Sequence, residues 1–229
     1  MADELILPTL LVLDLDDCCW SPETCFLNRV PSKEDVIVGE LAGGRGVVGV
    51  KCGDGPSQVL SLFPGALQML QEVHRGLYSP ETMRLGIASS ADTPLAADIA
   101  QSSLRLLEVV PGVTFHDVVS RGWDHGGNIQ IGRQASQGLS ADKSRTHFPL
   151  LKRLTGIPYH EMAFMDDSNW GVKAKEVLPP PQYNRTDHCK QVPRRCPGVI
   201  TQRTPSGMQY SEFRELLTKF DAAARKLRK

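Results

Sequence analysis

The stretch LVLDLDD, residues 11–17, decides how this chain of 229 residues is interpreted. A short apolar run, Leu10 to Leu13, stops abruptly at Asp14, and two further acids follow at Asp16 and Asp17. Short continuous apolar runs are typical of strands that are buried on both faces of a parallel sheet. The stretch therefore predicts a buried strand with carboxylates at its carboxyl end.

A second stretch, MAFMDD at residues 162–167, repeats this arrangement late in the chain. In open parallel sheets, ligands bind beyond the carboxyl ends of the strands. If the two strands are central neighbours, the carboxylates converge at one edge, and they are those of Asp14, Asp16, Asp166 and Asp167. Carboxylates held so close repel each other unless a cation lies between them, and oxygen ligands suit Mg²⁺. The two acidic strand ends thus predict a magnesium site.

Apolar patterning predicts strands and helices that alternate along much of the remaining chain. Further strands are predicted at residues 83–88, 115–119 and 199–201, and helices at residues 64–73, 94–107, 146–154 and 210–227. Alternation of this kind indicates βαβ units around a parallel sheet. The expected fold class is therefore α/β.

Two segments interrupt the alternation. Residues 31–57 contain seven glycines and few strong helix formers, and we interpret them as a flap or mobile loop. Residues 179–197 begin with three prolines and are locally basic. Because no linker is long enough to force a second domain, residues 1–229 are predicted to form a single domain with these two insertions.

The composition excludes several classes of protein. The chain has 26 basic and 26 acidic side chains, hence a formal net charge of zero, and 41% hydrophobic residues, which excludes wholesale disorder, collagen and coiled coils. The balanced charge argues against nucleic acid or a membrane surface as partner. The apolar run Leu5 to Leu13 is interrupted by Pro8 and ends in acids, so it is predicted to be neither a signal peptide nor a membrane span. Six cysteines without a C-x-x-C pair favour reduced thiols and a cytoplasmic location. The oligomeric state stays open.

Three more polar residues are expected at the same edge of the sheet. The strand predicted at residues 83–88 leads into Ser89 and Ser90, whose hydroxyls are suited to hold a phosphoryl oxygen together with nearby backbone N–H groups. Lys143 precedes the helix predicted at residues 146–154 and can supply a positive charge to the same group. With the acids, these residues predict phosphate chemistry.

This ordered set of residues resembles the haloacid dehalogenase superfamily of phosphatases and, within it, the magnesium-dependent phosphatase family. Four motifs carry the resemblance: Asp14-Leu15-Asp16-Asp17-Cys18-Cys19-Trp20; Ser89; Lys143 with Thr146-His147-Phe148 and Thr155-Gly156-Ile157-Pro158; and Met165-Asp166-Asp167. The similar regions are residues 8–20, 62–108 and 140–176. The resemblance implies a Rossmann-like, three-layer α/β/α sandwich around a central parallel sheet, with a minimal cap or none.

The resemblance also implies a role for each residue. Asp14 is the expected nucleophile, which forms an aspartyl-phosphate, and Asp16 is the expected acid and base. Mg²⁺ is expected to be held by Asp14, by the backbone carbonyl of Asp16 and by an acid of the fourth motif, with Asp167 favoured over Asp166. The expected phosphate-binding residues are Ser89, Ser90 and Lys143.

The implied activity is Mg²⁺-dependent hydrolysis of phosphomonoesters at an open site. The resemblance implies a phosphorylated small molecule, such as a sugar phosphate, or a phosphoprotein as substrate, and protein-tyrosine-phosphatase activity is among the expectations. Ser90 stands where close relatives have arginine, so the substrate stays open.

Two other functions remain as alternatives. One is a receiver-like domain that accepts phosphate without turnover, and the other is a catalytically silent interaction module of the same fold. The Asp-x-Asp pair comes first in the chain, which opposes the receiver interpretation, and an acid at Asp16 favours turnover. All four motifs are present, which opposes the silent module.

Several residues near these motifs are given ordinary structural roles. His188, Cys189 and Cys196 offer only three soft ligands at unpaired spacing, so a zinc site is disfavoured. His147 is expected to pack near the site rather than to bind a metal. Asp17 is expected to lie in an exposed turn.

Overall fold

The centre of the computed structural model, which describes residues 5–134, 136, 138–167 and 187–228, is a sheet of five parallel strands. From one edge to the other they are β11 (Ile200–Arg203), β10 (Met162–Asp166), β1 (Leu10–Leu13), β6 (Arg84–Ser89) and β9 (Ile129–Ile131). The strand predicted from the opening stretch is therefore the central one. It is paired with β10 on one side and with β6 on the other.

Helices cover both faces of this sheet. In chain order they are α1 (Pro64–His74), α2 (Pro94–Leu106), α3 (Phe115–Ser120), α4 (His147–Thr155), α5 (His188–Arg195) and α6 (Tyr210–Leu227). Successive side chains of a strand point to opposite faces, so Leu11 and Leu13 pack with α1, α2, α3 and α6, whereas Leu10 and Val12 pack with α4 and α5. The three layers confirm the predicted α/β/α fold class.

Two helices begin where the sequence predicts them, for local reasons. Pro64 and Pro94 occupy the first turns of α1 and α2, where a missing N–H has no intrahelical partner to lose. The Thr93 hydroxyl accepts a hydrogen bond from the backbone N–H of Ala96 at 3.0 Å, which caps α2.

One predicted strand is wrong. Residues 115–119 form most of α3 instead, because Thr114 and Asp117 make a capping box that satisfies the first N–H groups of a helix. The apolar side chains at Phe115, Val118 and Val119 then lie on one helical face and are buried. The fifth sheet strand is β9, which the sequence analysis missed.

The glycine-rich segment contains strands rather than a loop. A four-stranded antiparallel sheet has the order β2 (Trp20–Ser21), β5 (Val59–Leu62), β4 (Gly44–Lys51) and β3 (Val36–Leu41). Gly43 turns the chain between β3 and β4 with a φ of 95°, a conformation that favours glycine. From Asp14 to Phe63, which is fully described, the chain adds only short 3₁₀-helices to these strands, so no large cap interrupts it.

The second predicted insertion is described only in part. Residues 179–186 lie outside the described residues, and α5 occupies most of the rest of the segment. A separate two-stranded sheet of β7 (Glu108–Val110) and β8 (Val113–Thr114) follows α2. The single-domain organisation with two insertions stays a prediction.

Two further observations concern the whole described chain. None of its helices combines the length and apolar character that crossing a bilayer requires. All six cysteines are free thiols, and only Cys25 is not buried.

Candidate active site

The site is built at the carboxyl end of β1. Leu13 is level with Met165 of β10, and the backbone N–H of Asp14 donates to the Met165 carbonyl at 2.9 Å. Parallel pairing therefore places Asp14 level with Asp166. Asp14 Oδ1 accepts a hydrogen bond from the backbone N–H of Leu15 at 2.8 Å, which orients the carboxylate at the strand end.

Three of the predicted acids converge. Oxygens of Asp14, Asp166 and Asp167 all lie within 4.8 Å of one another, and all three residues are buried. Buried carboxylates repel each other, so this arrangement requires compensating positive charge. A hard divalent cation with oxygen ligands matches the donor set.

Lys143 lies between two of these acids. Its Nζ is 2.7 Å from Asp14 Oδ1 and 2.7 Å from Asp166 Oδ2, and its side chain is 1% exposed. A backbone hydrogen bond from Phe148 to the Lys143 carbonyl ties the residue to the start of α4. The three carboxylates and this one ammonium carry two more negative than positive charges, which is the charge that a divalent cation would neutralise.

The pKa shifts of the two acids that Lys143 contacts, Asp166 and Asp14, have opposite directions. Burial opposes the ionisation of Asp166, yet Lys143 and His188 hold its pKa well below the usual range. Burial lowers the pKa of Lys143, but the charges of Asp14 and Asp166 raise it by more, so the pKa is raised overall. Burial raises the pKa of Asp14 to about 8 even though Lys143 lowers it. Lys143 and Asp166 are thus a firm ion pair, whereas burial makes the ionisation of Asp14 less favourable.

Asp16 is held apart from this cluster by two donors. Trp20 Nε1 donates to Asp16 Oδ1 at 2.7 Å, and the Thr24 hydroxyl donates to Oδ2 at 2.7 Å. Burial raises the pKa of Asp16, while the hydrogen bonds from Trp20 and Thr24 lower it by less. A raised carboxyl pKa suits a group that must donate a proton.

Asp17 differs from the expectation. It does lie in a turn, with a φ of 53° that aspartate tolerates better than most residues, but it is buried rather than exposed.

The two predicted serines follow the neighbouring strand. Ile87 of β6 is level with Leu13, so Ser89 lies one residue beyond the level of Asp14, one strand spacing of about 5 Å away. The Ser90 hydroxyl oxygen is buried and has no hydrogen-bond partner in the described part of the chain. A buried hydroxyl without a partner is unfavourable unless a ligand supplies one, so Ser90 is suited to bind a phosphate oxygen.

Comparison with known proteins adds to this geometry. A family model described as acid phosphatase matches residues 6–181 of the chain. The chain belongs to the acid phosphatase family. The matched region contains the four acids predicted at the site, the two predicted serines and Lys143. Membership of the acid phosphatase family confirms the prediction of a phosphatase, whereas the narrower magnesium-dependent phosphatase family stays a prediction.

One solved structure is similar over most of the chain. It is the N-terminal part of the protein BF1531 from Bacteroides fragilis, containing a phosphatase domain complexed with Mg. The sequences are 15% identical and the TM-score is 0.48; the alignment covers 94% of this acid phosphatase family member and 40% of the other chain. No curated protein sequence matches the chain.

His188 is a site residue that sequence reasoning did not identify. Its Nδ1 is 3.2 Å from Asp166 Oδ2, and its Nε2 is 3.0 Å from the Ala141 carbonyl oxygen. Cys189 and Cys196 instead place their thiols against backbone carbonyls. Neither the cysteine spacing nor the basic character of the segment signals that His188 returns to the site.

The imidazole of His147 contacts the end of the strand that carries Ser89. Its Nε2 lies 3.1 Å from the Ser89 carbonyl, which can only accept, so Nε2 carries the hydrogen. Nδ1 then accepts from the Thr146 hydroxyl at 3.1 Å. Burial, and then the charge of Lys143, lower the pKa of His147 to about 4. The ring is therefore neutral in this acid phosphatase family member at physiological pH, as a packing residue rather than a charge.

This burial predicts a pH-dependent stability. Between pH 6.5 and 4 the unfolded chain protonates His147 and the folded chain does not, so the free energy of unfolding falls as the pH falls, by about 3 kcal/mol from this group. His147→Gln should remove that part of the dependence. Urea unfolding of both proteins in EDTA from pH 7 to 4 measures it. His160→Gln removes an exposed imidazole and should leave the curve as in the wild type; parallel curves for His147→Gln and the wild type would refute the interpretation.

Proposed function

We propose that the protein is a Mg²⁺-dependent phosphomonoesterase that acts through an aspartyl-phosphate on Asp14. The observation that carries the proposal is the buried cluster of Asp14, Asp166 and Asp167 around Lys143 at the carboxyl edge of the sheet. The acid phosphatase family supports the reaction class. The mechanism rests on the chemistry of the side chains.

The residues present fit a magnesium ion. Asp14, the backbone carbonyl of Asp16 and Asp167 would hold it, with oxygen as the only ligand atom. Asp166 is less suited, because its Oδ2 already contacts both Lys143 and His188. When bound, Mg²⁺ would neutralise the carboxylate and the phosphate so that the two anions can approach.

Asp14 supplies the nucleophile in the first half of the reaction. A carboxylate oxygen of Asp14 attacks phosphorus, and the bond from phosphorus to the leaving oxygen breaks. Asp16 gives its proton to that oxygen, so the substrate leaves as a neutral alcohol or phenol. Lys143 remains charged and stabilises the negative charge on the transferring phosphoryl group, and the hydroxyls of Ser89 and Ser90 donate to its oxygens.

Asp16 reverses its role in the second half. As a carboxylate it takes a proton from water, whose oxygen attacks the phosphorus of the aspartyl-phosphate. The bond between phosphorus and Asp14 breaks, inorganic phosphate leaves, and Asp16 is again protonated. The hydrogen bonds from Trp20 and Thr24 hold Asp16 in one orientation through both steps.

The proposal also covers the substrate class, the partners and the cellular location. With no large cap between β1 and α1, the site admits phosphorylated proteins, including phosphotyrosine, as well as sugar phosphates. Neither nucleic acid nor a membrane is a proposed partner, and the proposed location is the cytoplasm.

Metal dependence tests the proposal. Hydrolysis of p-nitrophenyl phosphate should require Mg²⁺ and stop in EDTA. Asp166→Asn, which alters a neighbour of the ligands, should weaken Mg²⁺ binding by about 10- to 100-fold, and Asp167→Asn should weaken it more. Titration calorimetry with Mg²⁺ alone measures this without turnover. Full activity in EDTA would exclude the mechanism, and equal Mg²⁺ affinity of Asp167→Asn and the wild type would exclude Asp167 as a ligand.

A further inference from the structure

Arg133 lies at the same edge of the sheet as the proposed phosphate site. The backbone N–H of Gly132, directly after β9, donates to the Ser89 carbonyl at 2.9 Å, which ties the end of β9 to the end of β6. Gly132 has a φ of 118°, so the chain turns there. The turn brings Arg133 over the loop that follows Ser89 and carries Ser90 and Asp92.

The contacts of Arg133 are long and incomplete. Its Nε donates to the backbone carbonyl of Asp92 at 3.4 Å, and its Nη2 is 3.6 Å from Asp92 Oδ2. Nη1 makes no hydrogen bond to any residue in the described ranges, and the side chain is 42% exposed. Such an ion pair is weak in water and exchanges readily for another anion. Arg133 is therefore held in place by a backbone carbonyl while part of its guanidinium is available.

The carboxylate of Asp92 is also incompletely hydrogen-bonded. Its Oδ1 is buried and has no hydrogen-bond partner among the described residues. The carboxylate is thus only partly satisfied by Arg133, and an anion that replaced it on the guanidinium would break only a long contact.

Arg133 and Asp92 are connected to Asp16 through neighbouring elements of the fold. Asp16 accepts a hydrogen bond from the Thr24 hydroxyl at 2.7 Å, and the 3₁₀-helix Thr24–Phe26 packs against α2, which begins two residues after Asp92. Asp16 is the proposed donor of a proton to the leaving oxygen, so Asp92 and its partner Arg133 flank that part of the substrate rather than the phosphoryl group. Phe26, in the same 3₁₀-helix, is 66% exposed.

We propose that Arg133 binds a second anionic group, a carboxylate or a phosphate, on the leaving-group part of the substrate. The preferred substrates are then phosphomonoesters whose alcohol or phenol carries such an anion. The inference rests on the proposed function, because it uses Asp16 to define the leaving side. Arg133 is a specificity-determining residue, and Asp92 is its partner until substrate binds.

Matched substrates test this directly. The first pair is 4-carboxyphenyl phosphate and its methyl ester, which differ in one charge; the second is fructose 1,6-bisphosphate and fructose 6-phosphate. The wild type should prefer the member with the additional anionic group in at least one pair, by about tenfold in kcat/KM. The pair that shows the preference identifies whether Arg133 binds a carboxylate or a phosphate. Arg133→Gln should abolish the preference by lowering the rate only for the member with the additional anionic group. Asp92→Asn should increase it, because the competing carboxylate is gone.

A control and a binding measurement separate the possible failures. Arg225→Gln removes an arginine of similar exposure that is paired with Asp221 on α6, and it should leave the preference unchanged. Binding of the same four compounds to Asp14→Asn gives the preference without turnover. Equal binding of both members of each pair, or an equal loss on both in Arg133→Gln, overturns the inference. Hydrolysis that persists in Asp14→Asn overturns the proposed function instead, whatever the preference.

Discussion

Asp14→Asn is expected to abolish hydrolysis of p-nitrophenyl phosphate, with a loss in kcat of about 10⁴-fold or more. Asparagine keeps the shape of the side chain and its place at the end of β1, but an amide oxygen is a poor nucleophile for phosphorus and cannot form the aspartyl-phosphate. Single-turnover measurement of phosphate release with saturating Mg²⁺ gives the rate of the chemical step. The variant should remain folded, because Lys143 keeps its ion pair with Asp166.

Asp17→Asn is the matched control for this experiment. Asp17 is buried three residues further on, and its left-handed backbone accommodates asparagine as well as aspartate. Asp17→Asn makes the same chemical change as Asp14→Asn. It should change kcat by less than about fivefold, because no proposed step uses the Asp17 side chain. If both variants lose activity equally, the cause is disturbance of the turn and not loss of the nucleophile. If Asp14→Asn retains wild-type activity, Asp14 is not the nucleophile.

The second large effect is on stability. Lys143→Met leaves the buried carboxylate of Asp166 without its main cation, and breaking such a pair costs about 3–5 kcal/mol. In the wild type Lys143 and His188 depress the pKa of Asp166, so this carboxylate stabilises the fold above pH 4. We expect burial to outweigh His188 in the variant and to raise that pKa above the unfolded value. The folded variant then binds a proton that the unfolded chain releases, and its stability relative to the wild type falls as the pH rises.

Urea unfolding at pH 5 and pH 8 in EDTA measures this change. The deficit of Lys143→Met should be larger at pH 8, and Mg²⁺ should reduce it because the ion supplies positive charge to the same carboxylates. Lys219→Met removes a surface pair with Glu215 and should cost less than about 1 kcal/mol at either pH. A deficit that is independent of pH would mean that packing of the lysine stem, and not its charge, stabilises the site.

The sequence predicts the parts of the fold whose signals are local and continuous. The apolar runs before Asp14 and Asp166 could be recognised because both strands are buried on two faces, and the acids mark where each run stops. The convergence of these acids follows from the general rule for parallel sheets. Lys143 was predicted at the site from the resemblance and from its place before α4, and the structure brings it between Asp14 and Asp166.

Other parts carried no such signal. β9 has three residues with a glutamine in the middle, which is too short for a period to be recognised. The capping box of Thr114 and Asp117 was present but was outweighed by β-branched residues that favour strands. His188 contacts Asp166 although the two residues are 22 positions apart in sequence, and a contact of that kind depends on tertiary structure.

The hydrogen bond between Asp14 and Met165 has a consequence for the timing of biosynthesis. Asp14 is translated before Asp166 and Asp167, which are added more than 150 residues later. Until the ribosome has released that second segment, Asp14 has no partner strand on that side and lacks the two other acids of the cluster. Contacts so distant in sequence form late in folding. A nascent chain that ends before β10 therefore lacks the acid cluster of the proposed site, and the cluster forms only when β10 pairs with β1.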